Sequence, residues 1–434
     1  MLRASSGSST LRSQRRQPTS GELVAAKHSA DPSTHQSTGG HLEVKEPTEV
    51  EGVLVVGGGY AGLHAARAVH RCGVPVTVVD RTGRHDFVTR LAAVAGGTAP
   101  VEDASGPVES FVDQVVVGTV VEIADGSVTM SDGRTITADA VVVTAGSVPS
   151  RPPVEGIELA HAIRSAEDAI ALRGSINRAS SMVIIGGGAT GVQLSGATAV
   201  AHPSLTIHLV EAMPRLLAGM PEAFSSGASR ILEGRNVQIH LSSDIERITE
   251  QGAIVGNSLL EGLVVWAGGF SASAQRYGMP TAEDGRILID EALRVLRSQR
   301  TFAAGDIAAH RDHDGDPLPM SAQIAVRAGS AAGRNAARAV RGEPVQAVDL
   351  RQIGWVLDLG ARRGLAQVGP VNLTAPGADL IPPLLHDAID LKDLLEIGGV
   401  HALRYASTSV RSLVTWPLAV WPLRTSPTVR AVTT

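Results

Sequence analysis

A pattern of buried strand, glycine-rich turn and helix occurs twice in this chain of 434 residues. The first copy runs from the apolar strand Val53–Val56 into the turn 57–62, and the second runs from Met182–Ile185 into the turn 186–191. A helix and a second apolar strand follow each turn, which is the order of a βαβ unit in a parallel sheet. The sequence therefore predicts an α/β fold class with two Rossmann-like domains.

Both turns have the spacing Gly-x-Gly-x-x-Gly. In such a turn the first glycine allows a tight bend, the second lets the backbone approach a pyrophosphate, and the third lets the helix pack against the strand. The amide end of the helix then attracts the phosphates. The six glycines are Gly57, Gly59 and Gly62 in the first turn and Gly186, Gly188 and Gly191 in the second.

An acidic residue follows the second strand of each unit, Asp80 in the first and Glu211 in the second. A carboxylate at this position accepts hydrogen bonds from ribose hydroxyls and repels a 2′-phosphate. Glu211 therefore favours NAD over NADP, although Arg215 shortly after it carries a charge that would weaken the preference. The two units together predict two dinucleotide sites.

Alternating apolar and polar residues predict antiparallel strands around the two units. These strands are Gln114–Ile123, Ser127–Ser131 and Arg134–Thr137 in the first unit and Val237–Leu241, Ile245–Thr249 and Leu263–Trp266 in the second. Further on, the alanine-rich segment Met320–Val340 predicts a helix. Beyond Pro344 we expect a small α+β C-terminal region, with strands at Ile353–Leu359 and Gly364–Val368.

Composition excludes several classes of protein. The net charge of −5 provides no general positive field for phosphate backbones, so we expect no nucleic-acid partner. Cys72 is the single cysteine, which excludes a dithiol redox pair. A loop rich in histidine and aspartate, residues 310–316, matches no zinc or EF-hand spacing, so we expect no metal.

The two ends of the chain differ in composition from the middle. Residues 1–50 are rich in Ser, Thr, Gly and Arg and predict a disordered tail, with a targeting peptide as the alternative. Near the other end, Trp416 and Trp421 lie among leucines and arginines, as in segments that rest on a membrane surface. Pro417 and Pro422 interrupt a continuous helix there, so packing on the body of the protein or on a second subunit of a homodimer is equally expected.

Two such units followed by Gly305-Asp306 resemble the glutathione-reductase-like flavoproteins, which have two dinucleotide-binding domains. The resemblance implies that residues 51–164 and 276–345 bind FAD, that residues 165–275 bind NAD(P), and that residues 346–434 form a C-terminal domain. The further residues that it assigns are Arg81, His85, Thr144, Ala145, Gly146, Gly305 and Asp306 to FAD, and Gln193 and Gly268 to NAD(H).

Three segments are similar to type II NADH dehydrogenases, which are non-pumping NADH:quinone oxidoreductases. They are 84–87 with 94–97, 265–269, and Leu318–Ala325. The similarity implies an enzyme that transfers hydride from NADH to FAD and electrons to a quinone, with Ala322 and Gln323 beside the flavin. It also implies a cytoplasmic protein or one that is peripheral on the inner face of the plasma membrane.

The sequence departs from that pattern at three places. Thr89-Arg90-Leu91-Ala92 stands where the family has proline and aromatic residues, Gln193 stands for a glutamate, and Arg327 stands for a glutamine at the acceptor site. Because of Arg327, more than one kind of electron acceptor is compatible with the sequence. The alternatives are a soluble NAD(P)H reductase of an iron–sulfur protein or other small acceptor, and a flavin-bound redox sensor.

Overall fold

Two five-stranded parallel sheets organise the chain in the computed structural model, which describes residues 48–272 and 274–410. The strands up to residue 162 are β1 (Thr48–Glu49), β2 (Val53–Val56), β3 (Val76–Asp80), β4 (Arg84–Asp86), β5 (Ser105–Pro107), β6 (Val115–Val117), β7 (Val120–Ala124), β8 (Ser127–Met130), β9 (Thr135–Thr137), β10 (Ala140–Val143), β11 (Val148–Pro149) and β12 (His161–Ala162). The later strands are β13 (Ser181–Ile185), β14 (Thr206–Val210), β15 (Gln238–His240), β16 (Ile245–Thr249), β17 (Gly252–Val255), β18 (Ser258–Glu261), β19 (Leu263–Trp266), β20 (Phe270–Ser271), β21 (Thr301–Ala303), β22 (Gly354–Asp358), β23 (Gly364–Val368) and β24 (Val371–Leu373). The α-helices are α1 (Tyr60–Arg71), α2 (Leu91–Gly96), α3 (Ala166–Ile176), α4 (Ala189–Ala201), α5 (Glu222–Glu233), α6 (Ala322–Val340) and α7 (Pro382–Gly398).

The first sheet has the strand order β21-β10-β2-β3-β6, and all its pairs are parallel. Side chains alternate along β2, so Val53 and Val55 face α1 and α6, whereas Leu54 and Val56 face the antiparallel strands β7, β8 and β9. Strand β21 arrives from far along the chain. The sheet that contains the first βαβ unit is therefore completed by a strand that follows the second unit in the sequence.

The second sheet repeats this plan with the order β12-β19-β13-β14-β15. Helices α3, α4 and α5 cover one face, and the antiparallel strands β16, β17 and β18 lie against the other. The α/β fold with two Rossmann-like units, predicted from the repeated turn, is thus confirmed.

Three of the predicted antiparallel strands are wrong. Strand β19, predicted as antiparallel at Leu263–Trp266, lies inside the second parallel sheet between β12 and β13. The segment predicted at Gln114–Ile123 divides at Gly118: β6 extends the first parallel sheet beside β3, and only β7 is antiparallel. A Cβ atom at Gly118 would lie 2.6 Å from the Met130 methyl group, so the chain passes close to that side chain between β6 and β7. Strand β15, predicted within Val237–Leu241, is likewise parallel, beside β14.

The ends of the described chain also differ from expectation. Strand β1 pairs with β9, so Thr48 and Glu49, inside the predicted tail, form a strand. Residues 1–47 of that tail lie outside the described residues. Helix α6 starts at Ala322, two residues after the predicted start at Met320. The Ser321 hydroxyl caps the helix there by accepting a hydrogen bond from the Ile324 amide. The segment with Trp416 and Trp421 lies outside the described residues.

In the C-terminal region β22, β23 and β24 form an antiparallel sheet that packs with α7, as the predicted pair of strands implied. Among the described residues, no helix has the length and apolar character needed to cross a membrane.

Helices α1 and α6 approach each other closely on the first sheet. A Cβ atom at Gly329 would lie 2.1 Å from the Ala61 carbonyl oxygen, and one at Gly333 would lie 2.3 Å from that of Ala65. Only glycine at these two positions lets the backbones come so near. The start of α1, and with it the first glycine turn, is therefore held against α6.

Candidate functional site

The first glycine turn is a compact bend that leaves open space at one place. Gly57 has a φ of +107°, and a Cβ there would lie 2.6 Å from the Thr144 carbonyl oxygen. A Cβ at Gly62 would lie 1.8 Å from the Gly57 carbonyl oxygen. At Gly59, by contrast, a Cβ would meet no atom within 4 Å. The closed and the open positions match the roles predicted for the three glycines.

Gly58, inside this turn, is held by both of its backbone polar groups. Its amide donates to Asp80 Oδ2 over 2.8 Å, and its carbonyl accepts from Nδ1 of the buried His85 over 2.9 Å. Burial lowers the pKa of His85 to about 4, so the imidazole is neutral at pH 7. Asp80 and His85 are thus brought to the turn, whereas Arg81 is exposed beside it.

Two further predicted segments meet the first turn. The Thr144 hydroxyl lies 2.8 Å from the Val56 carbonyl oxygen and 3.0 Å from that of Gly57, which places Thr144-Ala145-Gly146 beside the bend. A Cβ at Gly305 would lie 2.8 Å from the Ala61 side chain, so the Gly305-Asp306 turn abuts the start of α1. The structure therefore brings these predicted FAD residues together.

Arg164 is a site residue that the sequence patterns did not reveal. Its guanidinium donates to Asp306 over 2.8 Å and to the Ser147 carbonyl over 3.1 Å, and it lies 5.0 Å from the centre of the Phe270 ring. Asp306 also accepts a bond from the Ser147 hydroxyl. The only local signal was a basic residue directly before the capping box of α3, and this did not indicate a partner far along the chain.

The second turn repeats the geometry of the first. Gly186 has a φ of +113°, with a Cβ position 2.5 Å from the Ala267 carbonyl oxygen, and a Cβ at Gly191 would lie 1.9 Å from the Gly186 carbonyl oxygen. Gly188 again has open space at its Cβ position. The amide of Gly187 donates to Glu211 Oε2 over 2.6 Å, as Gly58 does to Asp80.

The remaining predicted NAD residues lie around this turn. A Cβ at Gly268 would lie 2.4 Å from the Trp266 ring, so the chain passes close to the indole there. Gln193 is half-buried near the start of α4. The Arg215 guanidinium donates to the carbonyls of Leu217, Ala218 and Met220 at 2.6 to 3.2 Å. Both terminal nitrogens of Arg215 are therefore bonded within its own loop.

The two units are joined at the strand ends that carry these turns. Strand β11 follows the Thr144–Gly146 segment, β20 follows Gly268 and Gly269, and the two strands pair in antiparallel fashion. The Ser150 hydroxyl lies 3.2 Å from the Gly268 carbonyl oxygen and 3.1 Å from that of Gly269. Ligand sites at the carboxyl ends of the two sheets would therefore share this junction.

The start of α6, which the similarity assigned to the flavin and the acceptor, is tied to the chain that leads into β22. Gln323 Oε1 accepts from the Ile353 amide over 2.8 Å, and Arg327 Nη1 donates to the Arg351 carbonyl over 2.7 Å. Both side chains are half-buried, as is Ala322. Gln323, predicted beside the flavin, and Arg327, predicted at the acceptor site, therefore contact the same neighbouring segment, 351–353.

Metal-ligating side chains come together at a place that the sequence patterns did not single out. His64 lies near Asp393 and Glu396, with ligand atoms of all three within 4.8 Å of one another. The Lys392 ammonium lies 2.8 Å from Glu396 and 3.7 Å from Asp393. The lysine thus already offsets part of the charge of these carboxylates, and we assign no metal to the cluster.

The residues at the two turns fit dinucleotides. Helices α1 and α4 both begin at a glycine with no side-chain cap, and neither has an acid in its first turn. Their first amides and the positive end of each helix dipole therefore face the open space at Gly59 and Gly188, where a pyrophosphate is the complementary group.

Comparison with known proteins agrees with this geometry. The sequence model of a family described as pyridine nucleotide-disulphide oxidoreductase matches residues 51–329. This match covers more than half of the chain and includes both glycine turns and Asp306. A type II NADH:quinone oxidoreductase of Staphylococcus aureus strain MSSA476 is 27% identical over 391 residues, which cover 80% of this chain and 96% of the relative.

Solved structures share the fold. NDH2 from Plasmodium falciparum in complex with NADH superposes with a TM-score of 0.68 at 12% identity, over 83% of this chain and 97% of that chain. A ferredoxin reductase from Rhodopseudomonas palustris superposes with a TM-score of 0.63 at 21% identity, over 73% and 82%. These likenesses confirm the architecture of two parallel sheets.

Because His310, next to the Gly305-Asp306 turn, is buried, we expect the free energy of unfolding to depend on pH. Burial and, less strongly, Arg286 lower the pKa of His310 to about 4, while the Gly305 amide donates to the unprotonated Nε2 over 3.1 Å. Between the unfolded pKa of about 6.5 and 4, the unfolded chain binds a proton that the folded protein does not, so stability falls as pH falls, by up to ~1.4 kcal/mol per pH unit. His310→Gln, which keeps an acceptor for the Gly305 amide, should make this fall less steep.

Urea denaturation at several pH values between 7 and 4 measures the slope. His313→Gln is the matched control, because that side chain is 61% exposed in the same loop, and it should keep the wild-type slope. Parallel curves for wild type and His310→Gln would contradict the assignment of a neutral, buried His310.

Proposed function

The chain belongs to the pyridine nucleotide-disulphide oxidoreductase family, and we propose that within it the protein is an FAD-dependent NADH dehydrogenase that passes electrons to a quinone without pumping protons. The observation that carries this proposal is the pair of dinucleotide turns whose sheets are joined through β11 and β20. The relative named type II NADH:quinone oxidoreductase supports the quinone. Since Cys72 is the single cysteine, electrons cannot leave through a protein dithiol.

We assign FAD to the first unit and NAD(H) to the second. The amides at Gly59 and the start of α1 would hold the FAD diphosphate, Asp80 the adenosine ribose, and Asp306 with Arg164 the region of the ribitol. The amides at Gly188 would hold the NADH diphosphate, with Glu211 on its ribose. These roles follow the domain boundaries predicted from the sequence, which we keep as part of the proposal.

Hydride acceptance from NADH and electron delivery to the acceptor are the chemistry that FAD supplies when bound. This chain's own contribution is charge and position. The amide end of α6 brings partial positive charge beside Ala322 and Gln323, which suits a site where negative charge accumulates. Arg164, bonded to Asp306 and packed on Phe270, links the two nucleotide sites.

A second candidate function rests on Arg327. A half-buried guanidinium at the acceptor side is better suited to binding an acidic protein partner than to binding an uncharged quinone ring. The fold shared with a ferredoxin reductase is compatible with that reading. A soluble reductase of an iron–sulfur protein is therefore the alternative.

We further propose a cytoplasmic enzyme whose C-terminal region contacts either the inner face of the plasma membrane or a second subunit. Apolar side chains of this region are exposed, including Leu384 at 56% and Val400 at 70%. Either contact would remove such surface from water.

Turnover with defined acceptors tests the function. Purified protein with bound FAD should oxidise NADH continuously when a short-chain quinone is supplied, and should use NADH in preference to NADPH because of Glu211. Turnover with ferredoxin but not with quinone would support the second candidate. One round of reduction with no turnover on any acceptor would contradict an enzymatic role and indicate a redox sensor.

The open position at Gly188 predicts a selective defect in NADH binding. Gly188 has an ordinary φ of −74° and empty space at its Cβ, so Gly188→Ala should fold normally while its methyl group fills the place of the pyrophosphate. We expect KM for NADH to rise about tenfold, equivalent to about 1.4 kcal/mol of binding.

Gly219→Ala is the matched control, because that glycine also has open space around its Cβ but lies outside the turn. It should leave KM unchanged. An unchanged KM in Gly188→Ala as well would mean that the nicotinamide dinucleotide does not bind at this turn.

A further inference from the structure

A buried ion pair lies where the first sheet, the second sheet and the C-terminal region meet. Arg90 Nε donates to Asp390 Oδ2 over 2.6 Å, and the two side chains are only 5% and 6% exposed. The Arg90 guanidinium also donates to the Tyr405 carbonyl over 2.8 Å and stacks 4.3 Å from the centre of the Phe87 ring. The pair is therefore satisfied and shielded from water.

This pair continues into the first glycine turn. The Thr89 hydroxyl donates to Asp390 Oδ1 over 3.1 Å and lies 3.0 Å from the Tyr60 hydroxyl. Since the single Thr89 proton goes to the carboxylate, Tyr60 must be the donor to Thr89. Tyr60 is the first residue of α1, so one chain of hydrogen bonds runs from the proposed FAD turn to α7.

Arg90 also adjoins the second unit. It is the residue directly before α2, and α2 packs on α4, the helix that begins in the second glycine turn. A Cβ at Gly96 of α2 would lie 2.7 Å from the Ala197 side chain of α4. The contact between α2 and α4 therefore leaves little room for α2 to shift.

The C-terminal region also contacts the second unit directly. The Arg235 guanidinium donates to the carbonyls of Gly196, Leu359 and Gly360, which joins α4 to the turn between β22 and β23. A Cβ at Gly196 would lie 2.5 Å from the Leu359 carbonyl oxygen. The C-terminal region thus contacts α4 through the turn between β22 and β23, and it contacts the start of α1 through Asp390 and Thr89.

We propose that Arg90 and Asp390 are positioning residues that set the orientation of the two nucleotide sites for hydride transfer, a role that rests on the proposed function. A buried ion pair contributes little net stability compared with an apolar pair of similar volume, but its directional bonds can select one register of the elements that it joins. Here those elements are α1, α2 and α7. Small errors of orientation between reacting groups reduce rates strongly.

The decisive variant replaces both charges by apolar side chains of similar size, Arg90→Met with Asp390→Leu. We expect it to retain FAD and the wild-type unfolding midpoint, and to be reduced by dithionite at the wild-type rate. Reduction of the bound flavin by NADH in stopped-flow measurements should be about tenfold slower, with KM for NADH changed less than about twofold. Ile389→Gln changes an exposed side chain next to Asp390 on the same helix and should change none of these quantities.

Thr89→Val is the second variant and decides the matter if the double variant does not fold. It cuts the link from Tyr60 to Asp390 while the ion pair stays, and it should slow flavin reduction by NADH about threefold with unchanged FAD content. Unchanged reduction rates in folded variants would overturn the proposal, and so would a slower rate that appears only together with loss of FAD. A wild-type flavin that NADH does not reduce would instead refute the proposed function itself.

Discussion

In each glycine turn the carbonyl oxygen of the first glycine occupies the place where a side chain on the third glycine would lie. The distances of 1.8 Å at Gly62 and 1.9 Å at Gly191 mean that only a residue without a side chain lets α1 and α4 start so close to their strands. This contact directs the first amides of each helix into open space at Gly59 and Gly188. The phosphate sites, and with them the proposed function, depend on it.

The acid of each unit fixes the turn and, in the proposed function, also binds the ribose. Asp80 and Glu211 accept the amide of the middle residue of their turns, Gly58 and Gly187, which fixes the bend before any nucleotide binds. Oδ1 of Asp80 already accepts from the amides of Thr82 and Gly83 and from the Thr82 hydroxyl, so a ribose hydroxyl would bind at Oδ2. Prior fixing of the turn means that less conformational freedom is lost when the dinucleotide binds.

The sequence predicted what depends on neighbours along the chain and missed what depends on distant ones. Glycine spacing and apolar runs were sufficient for β2, β13 and the helices after them. The short strands β6, β15 and β19 were predicted as antiparallel but are parallel, because strand pairing depends on the rest of the sheet. Arg164 meets Asp306, and Arg90 meets Asp390, across 142 and 300 residues of chain, which no local pattern indicates.

The proposed function requires that this paired architecture brings a flavin and a nicotinamide together. The most direct test is the visible absorption of the purified protein without oxygen, before and after one equivalent of NADH. We expect a yellow protein that contains one FAD per chain and loses its colour when the NADH is added. A folded protein that is colourless and does not take up FAD, or one whose yellow colour NADH leaves unchanged, would contradict this expectation.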